Sequence, residues 1–138
     1  MHLQFDLKGG DFVNAGKASS AVKRVLKQLG VPPVLIKRVV IALYEAEVNV
    51  AAHAYKGIIE IEINSDSIIM NVVDHGPGIL DIDKAMEAGY STASREVREM
   101  GFGAGMGLPN IKKNSDKFQV KSEYGVGTTV TIENRLTD

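Results

Sequence analysis

Three groups of residues have the types and spacing to do chemistry. The first is Glu45 with Asn49, four residues apart and so on one face of a helix. A carboxylate on an otherwise apolar helix is costly unless it is paired, bound to a metal or working. The pair is therefore either a hydrogen-bonded couple on a helix surface or part of a reactive site. His53, a further four residues on, drifts only modestly around the same helix. Glu47 points nearly the opposite way and is expected to be solvated or salt-bridged. The second group is Asp74-His75-Gly76-Pro77-Gly78-Ile79. Its carboxylate either closes an Asx-type turn or stands at a strand edge to bind a ligand. The third is residues 101–110, where Gly101, Gly103, Gly105 and Gly107 alternate with larger residues before Leu108-Pro109-Asn110. Alternate glycines suit neither a strand nor a helix interior. Leading into a helix, such a loop leaves backbone N–H groups free and favours an anion, most simply a phosphate. A flexible turn would have the same composition.

The elements that must position these groups follow from periodicity. Residues 2–8 alternate apolar and polar and read as a strand. Asn14 is the expected N-cap of a helix with Ala18, Val22, Val25, Leu26 and Leu29 at helical spacing, stopped by Gly30. Pro32-Pro33 open a second helix, expected over about 33–55. From Val39 to Tyr55 it is apolar nearly all round, which predicts a buried helix. Residues 58–64 and 68–73 read as a hairpin across Asn64-Ser65-Asp66-Ser67, the second strand apolar enough to be central. Residues 80–100 are polar, with a short helix expected over 83–88 and ended by Gly89. Seven of the 14 glycines fall between Gly76 and Gly107, so this segment fits a hinged lid and equally a solvated loop. A helix over 108–114, a strand over 117–123, a turn at Tyr124-Gly125-Val126-Gly127 and a strand over 128–133 complete the chain. The order predicts an α+β fold: a two-layer α/β sandwich with a mixed, mostly antiparallel sheet covered by helices on one face. A Rossmann domain would alternate strand and helix throughout, and no Walker-type phosphate loop is present.

At 138 residues the chain has the length of one domain, enough to bury a core without staples. The net charge of −1 makes no electrostatic case for nucleic acid or a membrane surface. The absence of cysteine excludes disulfides, thiolate metal sites and a cysteine nucleophile. No apolar run reaches the ~18 residues of a membrane span. Met1-His2-Leu3-Gln4-Phe5-Asp6 lacks the basic start and apolar stretch of a signal peptide. A cytoplasmic protein is the default expectation.

Taken in order, Glu45 with Asn49, Asp74-His75-Gly76-Pro77-Gly78, Gly103-Ala104-Gly105-Met106-Gly107-Leu108 and Gly127-Thr128-Thr129 resemble the motifs of the GHKL superfamily of ATPases, which includes gyrase and the histidine kinases. They look like that superfamily's N box, its two glycine boxes and its closing Gly-Thr motif. The resemblance covers almost the whole chain, and it is the joint occurrence in order that makes it specific. It implies one histidine kinase-like ATPase domain over 1–138, of the Bergerat-type ATP-binding fold, with an ATP lid at about 79–104. More narrowly, residues 44–55 and 106–118 resemble the bacterial anti-sigma factor kinases, the latter stretch in particular the switch kinases of stressosome-type partner-switching modules.

That narrower resemblance implies an ATP-dependent protein serine/threonine kinase that phosphorylates a STAS-domain antagonist and so regulates a sigma factor. An alternative is an ATP-binding anti-sigma factor acting mainly by sequestering its sigma factor. A third is an ATPase gate or sensor-kinase domain detached from its partner, which the lack of further domains disfavours. Glu45 favours catalysis, since a pure nucleotide binder would not need it. By the resemblance, Asn49 coordinates Mg²⁺ through its amide oxygen, a hard ligand for a hard cation. Glu45 acts as general base on the substrate hydroxyl or orients it. Asp74 accepts from the adenine amino group with Thr128 in support, and Gly76, Gly78 and Ile79 form the loop that closes on the base. Gly103, Gly105 and Gly107, with Ala104, Met106 and Leu108 among them, present backbone amides to the phosphates. Arg98 or Arg95 supplies a cation to the γ-phosphate, with His53 as another candidate. A homodimer is implied by the resemblance to anti-sigma factor dimers and required by no residue pattern. No direct contact with nucleic acid and no membrane association are expected.

Overall fold

The computed structural model of the chain describes residues 1–79, 81–87 and 107–138. Strand β1 (His2–Lys8) is followed by helices α1 (Lys17–Gln28) and α2 (Pro33–His53). The hairpin β2 (Lys56–Ile63) and β3 (Ser67–His75) comes next, then the short helix α3 (Ile82–Ala85). Helix α4 (Gly107–Lys113) and the hairpin β4 (Lys117–Glu123) and β5 (Gly127–Arg135) close the chain. The five strands form one sheet in the order β1-β2-β3-β5-β4, so β3 is central, as its apolar run predicts. All four pairings are antiparallel. The expected two-layer α+β sandwich is therefore present, with no parallel pair among the described residues.

Alternation along the strands decides which face is covered. Ile59, Ile61, Ile63, Ile68, Met70, Val72, Val130 and Ile132 point inward, and none is more than 5% exposed. Each contributes roughly 1.5–3 kcal/mol by leaving water. Against them lie Val39, Leu43, Ala46 and Val50 of α2, with Val22 and Leu26 of α1 and Leu108 and Ile111 of α4. Helix α2 touches α1, α4 and four of the five strands, which is why it is apolar on nearly all sides. The other face of the sheet is polar: Thr131 Oγ1 donates to Asn71 Oδ1 at 2.9 Å, and Lys117 pairs with Glu133 at 3.2 Å.

Two expectations about the N-terminal helices are corrected. Glu47 is neither solvated nor salt-bridged: it is 1% exposed, beneath the start of α1. Its Oε1 accepts from the backbone N–H of Ala18 at 2.7 Å and of Ser19 at 3.3 Å, and its Oε2 accepts from Ser19 Oγ at 3.1 Å. Asn14 is not the N-cap of α1: its side chain donates to Asp11 Oδ2 at 2.7 Å, and the cap position is Gly16, with no side-chain cap of its own. The carboxylate from α2 does the capping across space, placing negative charge at the positive end of the α1 dipole. Smaller differences concern boundaries. Helix α2 ends at His53, β5 is longer at both ends, and α3 starts at Ile82, with Asp81 as its N-cap accepting from Lys84 N. Helix α3 also ends earlier than expected, at Ala85 with Met86 as its C-cap, short of Gly89. Most of the expected lid lies outside the described residues.

Replacing Glu47 with Ala strands two helix-terminal N–H groups, while the Ser19 hydroxyl keeps the Gly16 carbonyl as its acceptor at 3.1 Å. It should cost about 2–3 kcal/mol of stability in urea denaturation. Glu47→Gln, which keeps one accepting oxygen, should cost less than Ala. Wild-type stability in Glu47→Ala would show that the cross-helix cap carries no weight.

Candidate functional site

Helix α2 carries the first half of the site. Glu45 and Asn49 are half-buried on the face turned to α4. A Cβ built on Gly107 would lie 3.7 Å from Asn49 Oδ1 and 4.0 Å from Glu45 Oε2. A carboxylate oxygen and an amide oxygen thus converge on the glycine that opens α4. Three residues further along α4, Asn110 Nδ2 donates to Glu45 Oε1 at 3.4 Å, a long hydrogen bond. Burial pushes the Glu45 carboxyl above the ordinary glutamate range, and the Asn110 amide partly opposes it. Asn110 was not singled out by the sequence. The signal available was its position three residues after Gly107, on the same face of a helix.

The second half sits at one end of the sheet, where antiparallel pairing puts Leu7, Gly57, Asp74, Thr128 and Ser122 in a single rank across all five strands. Asp74 Oδ1 accepts from the backbone N–H of Thr128 at 3.1 Å. Burial raises the Asp74 carboxyl above its ordinary value, while the Thr128 amide and the nearby His75 pull the other way. Thr128 is 6% exposed, and its Oγ1 lies 2.8 Å from Ser122 Oγ. Ser122 Oγ also accepts from Ile79 N at 2.7 Å and donates to the Gly127 carbonyl at 3.1 Å. Ser122 is a second residue the motifs did not select.

The loop after Asp74 is held against both neighbours. A Cβ on Gly76 would stand 2.9 Å from Ala54 Cα and 3.2 Å from the His53 carbonyl, so only glycine lets the loop lie on the end of α2. Gly78 takes φ +75°, and its Cβ would fall 2.3 Å from the Glu123 carbonyl. Tyr55 N donates to the His75 carbonyl at 2.9 Å, tying the α2–β2 junction to the same loop. His53 is the last residue of α2, half-buried, beside this loop. From Glu45 to His53 the helix rises about 12 Å, so α2 is the spine joining the two halves.

The structure therefore gathers Glu45, Asn49 and Gly107 at one end, and Asp74, Gly76, Gly78, Ile79 and Thr128 at the other, with His53 between loop and helix. Leu108 follows Gly107, but its side chain is in the core, leaving only its backbone to meet a ligand. Arg95, Arg98, Gly103, Ala104, Gly105 and Met106 lie outside the described residues. For a metal, the donors present are the Asn49 amide oxygen and the Glu45 carboxylate. Among the described residues, no group of three or more His, Cys, Asp or Glu could hold an ion. The two oxygen donors of Asn49 and Glu45 are of the kind a Mg²⁺ ion takes, one or two from protein with water and phosphate completing its shell. No helix among the described residues is long and apolar enough to cross a membrane.

Residues 11–133 match the family described as histidine kinase-like ATPase domain. The chain is 37% identical over 112 residues to the serine/threonine-protein kinase RsbT of Bacillus subtilis, covering 78% of each protein. It is 38% identical over 96 residues to the anti-sigma F factor of a Thermoanaerobacter species, covering 66% of this chain and 64% of that one. Among solved structures, the RsbU and RsbW domains of Rv1364c from Mycobacterium tuberculosis superpose with a TM-score of 0.60 at 17% identity. That match covers 97% of this chain and 32% of the other.

The Glu45 carboxyl should titrate above the ordinary glutamate range. Because the Asn110 amide favours the charged form, Asn110→Ala should move the titration to still higher pH. Carboxyl-carbon NMR of the two proteins checks both statements. A downward shift in the variant would contradict the assigned direction.

Proposed function

We propose a function from one premise: the chain belongs to the histidine kinase-like ATPase family. It is an ATP-dependent protein serine/threonine kinase of a partner-switching module, acting on a STAS-domain antagonist and thereby on a sigma factor. The observation that carries this reading is the convergence of Glu45 Oε2 and Asn49 Oδ1 on Gly107. A half-buried carboxylate with one long hydrogen bond, beside a hard amide oxygen, is a base next to a cation ligand. A nucleotide-binding module would need only the second.

The roles follow from placement. Asp74 accepts from the adenine amino group, and Thr128 supports it from the next strand. Gly76, Gly78 and Ile79 shape the loop over the base. Asn49 Oδ1 would hold Mg²⁺, which would neutralise charge on the phosphates. The backbone from Gly103 to Leu108, which includes Ala104, Gly105, Met106 and Gly107, would present amides to them. Arg98 or Arg95 would meet the γ-phosphate, His53 standing about 12 Å along α2 from Glu45, beside the loop over the base. Glu45 takes the proton of the substrate hydroxyl as that oxygen bonds to the γ-phosphorus, while the bond from the γ-phosphorus to the bridging oxygen breaks and ADP leaves. Burial holds the Glu45 pKa above that of an exposed glutamate, which makes it the stronger base of the two. Phosphoryl transfer needs mainly alignment and charge stabilisation, so this sparse set is sufficient. A single domain over 1–138 with a lid at about 79–104, working in the cytoplasm and able to pair with a second copy, accords with the same reading.

A second reading is sequestration of a sigma factor, supported by the 38% identity to an anti-sigma F factor. Incubation with labelled ATP and candidate STAS proteins separates the two: transfer of label to a serine or threonine supports the kinase, and tight sigma-factor binding without transfer supports sequestration.

Glu45→Ala should bind Mg-ATP nearly as the wild type does, while phosphotransfer falls by at least 100-fold. Full transfer in that variant would remove Glu45 from the chemistry. Asp74→Asn turns part of an acceptor into a donor and should weaken ATP binding about tenfold or more. Unchanged calorimetric affinity would count against the placement of the base.

A further inference from the structure

Ser122 belongs to none of the motifs, yet its hydroxyl joins three of their residues. It lies 2.7 Å from Ile79 N, 3.1 Å from the Gly127 carbonyl and 2.8 Å from Thr128 Oγ1. A hydroxyl has one proton and two lone pairs. The Ile79 amide can only donate, so it occupies one lone pair. The Gly127 carbonyl can only accept, so it takes the Ser122 proton. The remaining lone pair faces Thr128 Oγ1, which must supply its own proton to complete the contact. The Thr128 hydroxyl then meets anything else as an acceptor. Its neighbour in the rank, Asp74, already has Oδ1 engaged by the Thr128 amide and is an acceptor as well.

We propose that Ser122 is a positioning residue that fixes the polarity of the Thr128 hydroxyl, making this end of the site a pair of acceptors that selects a 6-aminopurine nucleotide over a 6-oxopurine. The proposal rests on the assignment of Asp74 and Thr128 to the base. An exocyclic amine presents donors to both acceptors. A keto oxygen in the same place presents lone pairs to lone pairs, leaving buried acceptors unpaired. Sites of that kind reject the wrong partner strongly. Specificity would come from a proton direction set one strand away, by a residue that does not touch the base.

The test compares ATP with ITP, which carries oxygen at the 6-position, by calorimetry on the full chain. Wild type should prefer ATP. In Ser122→Ala the Thr128 hydroxyl is free to turn and donate, so the ATP-to-ITP affinity ratio should narrow about five- to tenfold. Ser122→Thr, which keeps the hydroxyl, should restore the wild-type ratio. In a Thr128→Val background, Ser122→Ala should leave the ratio unchanged, because the proton it releases is gone. Should Ser122→Ala fail to fold, Ser122→Cys, a weak hydrogen-bonding substitute of similar size, carries the same expectation with a smaller shift. A Ser122→Ala protein that loses affinity for both nucleotides by the same factor would overturn the proposal, as would an equal change in the Thr128→Val background. Wild type that binds neither nucleotide would overturn the assignment of the base site and this inference with it. Wild type that binds ATP and is insensitive to Ser122 would overturn this inference alone.

Discussion

A helix buried on nearly every side must satisfy each polar group where it stands, and α2 carries three of them within five residues. Glu45, Glu47 and Asn49 are solved differently because different elements lie opposite them. Two residues of helix turn Glu47 about 200° from Glu45. On that side it meets the first turn of α1, whose own sequence offers no acidic residue and no side-chain cap. The Glu47 carboxylate satisfies α1, and α1 satisfies Glu47. The orientation of α1 on α2 is thereby fixed, and with it the apolar contacts of Val22 and Leu26 in the core. Glu45 and Asn49 are left to face α4.

Comparison of the two glutamates separates a carboxylate engaged by the fold from one left open to a further donor. Burial raises both. Glu47 answers with two backbone N–H groups and a hydroxyl, the shortest contact being 2.7 Å. Glu45 has one amide at 3.4 Å. A carboxylate holding three hydrogen bonds has little capacity left for a new proton donor, whereas one holding a single long bond has most of its lone pairs open. Perturbed groups cluster at functional sites but also in structural networks. Here the number and length of the hydrogen bonds, more than the direction of the shift, tell the two apart.

Periodicity made most of the fold legible. The limits of β1 and β4 follow from strict alternation, and the centrality of β3 from an apolar run. Glycine spacing and the Asp74 motif pointed to both halves of the candidate site, of which Gly107, Asp74, Gly76 and Gly78 lie among the described residues. What escaped was whatever depends on a partner distant in sequence. A helical wheel states that Glu47 points away from Glu45, but not that a helix terminus waits there. Asn14 has the type of an N-cap, yet Asp11, three residues earlier, competes for its amide and takes it. Ser122 was missed for the same reason. The four-residue turn expected at 124–127 sets Glu123 opposite Thr128, whereas the sheet starts β5 at Gly127 and sets Ser122 opposite Thr128, one residue away. Its chemistry also required a third contact, from Ile79.

That third contact shows how the sheet and the helix layer share the work. The rise of α2 sets the distance between Glu45 and the loop after Asp74, and β-sheet register sets which side chains stand beside Asp74. A slip of one residue between β3 and β5 would turn Thr128 to the other face and leave Asp74 Oδ1 without the amide it accepts from. The inward faces of Met70 with Ile132 and of Val72 with Val130, paired in the same ladder, resist such a slip because turning β5 over would put Val130 and Ile132 into water. The hydrophobic pattern of β3 and β5 therefore does more than stabilise the sandwich. It holds in register the hydrogen-bonded rank on which recognition of a base would depend.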